Sequence, residues 1–339
     1  MNMLPLGKLP PELLAKLLKE APNFDQRLMV GPGIGLDCAV VALDETCLVF
    51  KSDPITFATD EIGWYAVQVN ANDIATTGAT PRWFLVTVLL PEDKVTSEDA
   101  EKISRQIYEA CASLEISVIG GHTEITYGLE RPIIAGTMIG EVPRQDLITP
   151  KGASPGEQIL LTKGIPIEGT AILAREFVQQ LEEQYTRKEI QQARAYLYDP
   201  GISVVRDAHL AIQAGKVSAM HDPTEGGLSG ALWELAEACG HRLVIDPEVV
   251  YIPAIAQKIC KFFKINPMET IASGALLLTA PAEDAARICD SLRGEGLNCS
   301  VIGQVESGPS QVLQSTPEGI IPLPRPERDE IARIFEVYS

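Results

Sequence analysis

Residues 62–77 carry Ile, Trp, Tyr, Val or Ala on nearly every face, so as a helix this segment has no side to turn toward water. Such a helix is a core element that the rest of its domain must enclose. Yet it holds Asn70, Asn72 and Asp73. Asn70 and Asp73 stand three residues apart and share a face. An ionised carboxylate in that position needs a cation or several hydrogen-bond donors. Asp73 is therefore either a metal ligand or a carboxylate satisfied by neighbouring backbone or a buried Arg.

The 339 residues suffice for two domains of ordinary size. With 28 Lys and Arg against 46 Asp and Glu, the net charge is −18, which argues against nonspecific nucleic-acid binding. A divalent cation could bridge such a surface to an anionic nucleotide. Residues 1–11 contain no long apolar run of a secretory signal, and no stretch reaches the length of a membrane span. The seven cysteines (38, 47, 111, 239, 260, 289 and 299) form no C-x-x-C pair. Most lie within apolar segments, as reduced cysteines acting as small hydrophobes do. The expectation is a cytoplasmic protein with neither a disulfide framework nor a zinc site.

Periodicity predicts a short helix over 11–20, paired strands over 38–41 and 47–50, and the buried helix over 62–77. A strand over 83–90 follows, then a helix over 97–114 with Ser97 as N-cap and Ala100 at N3, and strands over 116–119 and 133–139. Residues 143–155, rich in Pro, Gly and polar side chains, mark the domain boundary, which gives domains 1–150 and 151–339. In the second half, strands are expected at 158–162, 217–220, 243–245, 275–279 and 300–302. Helices are expected at 179–192, 204–214, 228–239, 282–293 and 326–337. Neither half shows clean βαβ repetition, so the expected class is two α+β domains.

Polar clusters interrupt the apolar runs of the first half. Gly31-Pro32-Gly33-Ile34-Gly35-Leu36-Asp37 offers exposed N–H donors, and its alternative is an N-terminal turn of no chemical role. Lys51-Ser52-Asp53-Pro54 follows a strand; Lys51 could meet a phosphate as a point charge, or the segment is a turn. Gly120-Gly121-His122-Thr123-Glu124 follows another strand, and a glycine pair there permits close backbone approach to a ligand. His122 could ligate a metal, bond a phosphate or carry a proton, and Glu124 is a second candidate ligand. In the second half, Asp222-Pro223-Thr224-Glu225-Gly226-Gly227 leads from strand to helix, with Asp222 or Thr224 as a plain N-cap the alternative. Gly164 to Thr170 is a similar turn. There is no P-loop and no H-E-x-x-H. Gly152-Ala153-Ser154-Pro155-Gly156 matches G-x-S-x-G, but it precedes a strand and Pro155 lacks the N–H an oxyanion hole needs.

Taken in order, these motifs give the chain a resemblance, over nearly its full length, to the aminoimidazole ribonucleotide synthetase (PurM-like) superfamily. It rests on G-x-G-x-D-x-A-V from Gly33 to Val40 and on Ser52-Asp53-Pro54. It rests also on Asn70-x-x-Asp73-Ile74-Ala75 with Gly78-Ala79-x-Pro81, on Gly120-Gly121-His122-Thr123, and on Asp222 through Leu228. Thiamine-monophosphate kinase, selenophosphate synthetase, formylglycinamidine synthetase and the hydrogenase maturation factor HypE belong to it, and the whole pattern looks closest to the HypE-like members. The resemblance implies a two-domain α+β fold in which the N-terminal domain lends strands to a barrel-like sheet in a homodimer and the C-terminal domain is an α/β sandwich. It implies ATP and Mg2+ in a cleft alongside, with Asp37, Asp53 and Asp73 on the metal. Lys51, Asn70, Gly120, Gly121, Thr123, Asp222, Gly226 and Gly227 would bind the nucleotide complex, and His122 and Glu225 would serve catalysis.

Two departures qualify it. HypE proteins end in a tail whose cysteine carries the carbamoyl group, whereas this sequence ends Ile334-Phe335-Glu336-Val337-Tyr338-Ser339. His122 stands where the thiamine-phosphate enzyme commonly has Asp. The leading expectation is an ATP- and magnesium-dependent enzyme that activates an amide or carboxyl-like oxygen of a small substrate by phosphoryl transfer. The alternatives are a non-catalytic nucleotide-binding paralogue in a maturation or biosynthetic complex, with a protein partner, and a small-molecule kinase.

Overall fold

The computed structural model describes Leu4, residues 9–55 and residues 60–338. The chain forms two compact units. One comprises Asn23–Gly31 and Asp37–Leu147; the other comprises the described residues up to Pro22, Pro32–Leu36 and everything from Ile148 onward. Among the described residues no helix is long and apolar enough to cross a membrane.

A short helix, α1 (Pro11–Leu18), opens the chain, and the first unit then runs β1 (Leu28–Val30), β2 (Ala39–Leu43), β3 (Thr46–Ile55), α2 (Ile62–Thr76), β4 (Thr80–Pro91), α3 (Ser97–Ser113), β5 (Ser117–Thr126) and β6 (Ile133–Pro143). Its six strands form an open sheet in the order β1-β2-β3-β6-β4-β5. All neighbours are antiparallel except β4 and β5, which α3 joins as a parallel crossover. The expected hairpin is present: Leu43 pairs with Thr46 across Asp44 and Glu45, with Asp44 at φ 53°.

Helix α2 is buried along almost its whole length. Gly78, at φ 77°, follows its end and allows the left-handed exit. The helix lies flush on the sheet because β6 carries glycine where they meet: a Cβ on Gly140 would sit 2.3 Å from Ile74 Cγ2, and one on Gly136 would sit 2.8 Å from Asn70 Nδ2.

Three local expectations change here. The cap of α3 is Thr96, whose hydroxyl accepts from Asp99 N at 3.2 Å while Asp99 Oδ2 accepts from Thr96 N at 2.8 Å. The reciprocal pair satisfies two free N–H groups, which Ser97 with Ala100 could not do. The strand expected at 47–50 continues through Asp53 to Ile55, so Lys51-Ser52-Asp53-Pro54 is not a turn. Beyond Phe50, β3 has lost β2 as a neighbour and pairs with β6 alone, which is where a strand tolerates a proline. The strand at 116–119 likewise continues to Thr126 and takes Gly120 to Glu124 into its interior.

The second unit carries β7 (Gln158–Thr162), α4 (Ile167–Glu176), α5 (Val178–Glu182), α6 (Arg187–Ala195), α7 (Val205–Ala214), β8 (Ala219–His221), α8 (Gly227–Cys239), β9 (Arg242–Ile245), α9 (Ala254–Phe263), β10 (Leu277–Ala280), α10 (Ala282–Gly294), β11 (Cys299–Glu306), β12 (Gln311–Thr316), β13 (Gly319–Pro322) and α11 (Glu330–Tyr338). Its sheet runs β13-β12-β9-β11-β7-β10-β8, antiparallel except between β12 and β9. Leu228, Leu232 and Leu235 of α8 pack into its core with Ile159, Leu161 and Leu277 of the sheet. The helix expected over 179–192 is two helices, because Thr186 starts α6 with its own capping box to Glu189. The last helix starts at Glu330 rather than at Pro326.

Candidate functional site

Within the first unit, three carboxylates distant in sequence meet one ammonium. Lys51, on β3, places Nζ 3.1 Å from Asp73 Oδ2, 3.2 Å from Asp53 Oδ2 and 3.8 Å from Asp37 Oδ1. The sequence explains each position. Lys51 and Asp53 are two apart on one strand and point to the same face. That face is covered by α2, which presents Asp73, and Asp37 arrives just before β2. The Lys51 side chain is 9% exposed and that of Asp73 3%, whereas Asp37 and Asp53 keep 33% and 39%. The cluster is thus closed beneath and open above.

Burial alone would push the Lys51 ammonium down, but the attraction of Asp73, then of Asp37 and Asp53, outweighs it and holds the group well above the usual lysine value. Asn70 serves the same corner: its Oδ1 accepts from Asp53 N at 3.0 Å and its Nδ2 donates to Ala66 O at 2.8 Å. It thereby fixes the backbone of Asp53 against α2.

Oxygen donors of this kind suit magnesium, which is usually held by one or two carboxylates together with substrate phosphates. Among the described residues no three His, Cys, Asp or Glu side chains form a ready metal cage, and Lys51 occupies the point on which the carboxylates converge. The donor set fits a metal that arrives with phosphate oxygens of its own.

The Gly120 segment lies elsewhere on the sheet. Strand β5 is separated from β3 by β6 and β4, so Gly120, Gly121, His122 and Thr123 sit roughly 14 Å from Lys51's strand, at about 4.8 Å per strand. Within one chain they are not brought to the aspartates. Pairing shifts between Phe84 and Leu85 and leaves Ile119 as the extra residue of a bulge; Gly120 (φ 157°) and Gly121 (φ 149°) follow it, opposite Leu85 and Val86. His122 is exposed and lies 3.1 Å from Glu124 Oε2. The strand is an open edge exposed along nearly its whole length, with Val118, Ile119 and Ile125 facing outward.

In the second unit, Asp222 is buried and Glu225 half-buried in the turn before α8. Neither Asp222 nor Thr224 caps that helix. Gly226 is the N-cap residue in a left-handed conformation, and its N–H donates to Asp329 Oδ2 at 2.7 Å. The other oxygen of Asp329 accepts from Ile331 N at 2.8 Å. One carboxylate thus caps both α8 and α11, and it occupies the donor that Gly226 would have offered a ligand. Burial pushes Asp329 up to about 7 and Glu168, in the first turn of α4, also up to about 7. Asp329 belongs to no local motif and so was not legible in the sequence, whereas Glu168 lies inside the turn from Gly164 to Thr170, where nothing local marks it as buried. His221 lies 2.8 Å from Glu234 Oε2, and Gly35 packs against the same helix, where a Cβ would meet Glu234 O at 2.8 Å.

The N-terminal domain model of AIR synthase related proteins matches residues 35–142, and the C-terminal domain model matches residues 154–315. The chain belongs to this family. A putative hydrogenase expression/formation protein of Methanocaldococcus jannaschii is 30% identical over 97% of both chains. Carbamoyl dehydratase HypE of Azotobacter vinelandii is 26% identical over 93% of this chain and 89% of that protein. Among solved structures, the hydrogenase maturation protein HypE in complex with ATP superposes with a TM-score of 0.71 at 22% identity, covering 94% of this chain and 91% of that one. The two-domain PurM-like fold expected from the sequence motifs is the fold observed.

Proposed function

We propose that the chain is an ATP- and Mg2+-dependent enzyme that activates an amide or carboxyl-like oxygen of a small substrate by phosphoryl transfer. The convergence of Asp37, Asp53 and Asp73 on Lys51 carries this reading. Asp37, Asp53 and Asp73 would hold magnesium, which when bound neutralises charge on the nucleotide phosphates. Asp73 supplies a ligand fixed from below by α2, while the half-open Asp37 and Asp53 face the entering complex. Lys51 offers a point charge to a phosphate oxygen, and Asn70 keeps Asp53 in place by gripping its backbone. ATP in a HypE structure of the same fold, and relatives named carbamoyl dehydratase, support the choice of cofactor and of a carbamoyl-like acceptor. Residues 1–150 would act as the nucleotide-binding and dimerisation domain and residues 151–339 as the C-terminal PurM-like domain. The uncovered edge of β5 favours pairing with a second copy of the chain. A protein partner in a maturation complex fits the hydrogenase expression/formation relative.

The deciding experiment is Asp73→Asn. Magnesium-dependent ADP formation with carbamoyl-type acceptors should vanish while circular dichroism and oligomeric mass stay as in the wild type. Unchanged turnover would overturn the assignment. Tight ATP binding by the wild type, with no ADP formed from any acceptor, would favour a non-catalytic nucleotide-binding role instead.

A further inference from the structure

Helix α10 turns back through residues 295–298 into β11, and this return sets two cysteines against each other. Cys289 Sγ and Cys299 Sγ are 3.1 Å apart, about 1 Å beyond a covalent S–S bond of about 2.04 Å. Both are free thiols and both are buried, at 3% and 0% exposure. Arg293, one turn along from Cys289, donates to the Cys299 carbonyl from Nε at 2.9 Å and from Nη2 at 2.6 Å. A guanidinium is therefore locked beside the pair, the setting in which a thiol gives up its proton more readily. The hydrogen bond from Cys299 brings the Cys289 thiol below its usual value, against burial and with help from Arg293, and it pushes Cys299 up.

We propose that Cys289 and Cys299 form a redox pair which a small peroxide oxidises to an intramolecular disulfide, stapling α10 to β11. The Cys289 thiolate attacks one oxygen of hydrogen peroxide; the O–O bond breaks, hydroxide leaves and a sulfenic acid forms. The Cys299 sulfur then attacks the Cys289 sulfur, the S–O bond breaks, and the thiol proton leaves with the hydroxyl as water. Two thiols and one peroxide become one disulfide and two waters, with two electrons passing from sulfur to oxygen. The oxidant must be small, because both residues are buried.

The test treats the purified full chain with hydrogen peroxide, alkylates the remaining thiols in denaturant and maps the digest by mass spectrometry. The expected product is a peptide pair joined through Cys289 and Cys299, lighter by two hydrogens and separated again by reductant. Thermal unfolding of the oxidised wild type should shift upward, because a short loop is closed in the unfolded chain. Cys289→Ser should show neither the cross-link nor the shift; should that variant fail to fold, Cys299→Ala gives the same readout. Recovery of both cysteines as alkylated thiols while other cysteines oxidise would overturn the proposal. That result would leave the nucleotide assignment untouched, since neither thiol belongs to the aspartate cluster.

Discussion

Lys51 and Asp73 form a nearly buried ion pair of 3.1 Å on which Asp37 and Asp53 also converge. One ammonium thus holds together three carboxylates that would otherwise repel. Replacing it by an apolar group of similar length leaves uncompensated charge in a closed corner. Lys51→Met should lose about 3–5 kcal/mol of stability, measured by urea unfolding. Adding Asp73→Asn should recover part of the loss, because the two sites share one network. Millimolar magnesium should raise the midpoint of Lys51→Met more than that of the wild type. Equal magnesium responses would count against the carboxylates as a metal seat.

The two glycines of β5 should differ in tolerance. A Cβ on Gly121 would lie 1.9 Å from Val86 O, on a backbone at φ 149°. A Cβ on Gly120 meets only Leu85 Cδ2 at 3.5 Å, so its φ of 157° is the main obstacle. Gly121→Ala should cost at least about 3 kcal/mol and Gly120→Ala about 1 kcal/mol, read from denaturation midpoints. Equal losses would mean that crowding against β4 is not what selects glycine at 121.

Buried acids predict a pH dependence of stability. Burial pushes Asp329 up to about 7, despite the N–H groups of Ile331 and Gly226, and Glu168 also up to about 7. The folded chain therefore binds more protons than the unfolded chain between the ordinary carboxyl range near pH ~4 and about 7. These groups lend stability at low pH, and it is lost as pH rises through that window. Asp329→Asn should flatten the fall of the unfolding temperature across it. An unchanged slope would show that Asp329 titrates in its ordinary range.

The buried character of α2 was legible because a stretch of 16 residues, 62–77, has no polar face, and Asp73 stood out against it. The hairpin of β2 and β3 and the helix after Gly227 were legible from turn residues between apolar runs. Strand continuations were not. Lys51 to Pro54 and Gly120 to Glu124 look like turns because proline and glycine usually interrupt strands, yet each runs on where a partner strand supplies hydrogen bonds. The cap of α8 was hidden for a similar reason: its acceptor, Asp329, lies 103 residues from Gly226.

By itself, the order of residues determined which segments must be buried and where carboxylates would be costly, since these follow from composition and spacing along the chain, and its motifs carried the resemblance to the family. Only the tertiary structure decided that Lys51 would stand among Asp37, Asp53 and Asp73, that Gly120 to Thr123 would lie three strands away, and that Cys289 would meet Cys299. Sheet order and helix return place those groups. Both are set by hydrogen bonds and packing between distant segments, for which no local pattern stands as a signal.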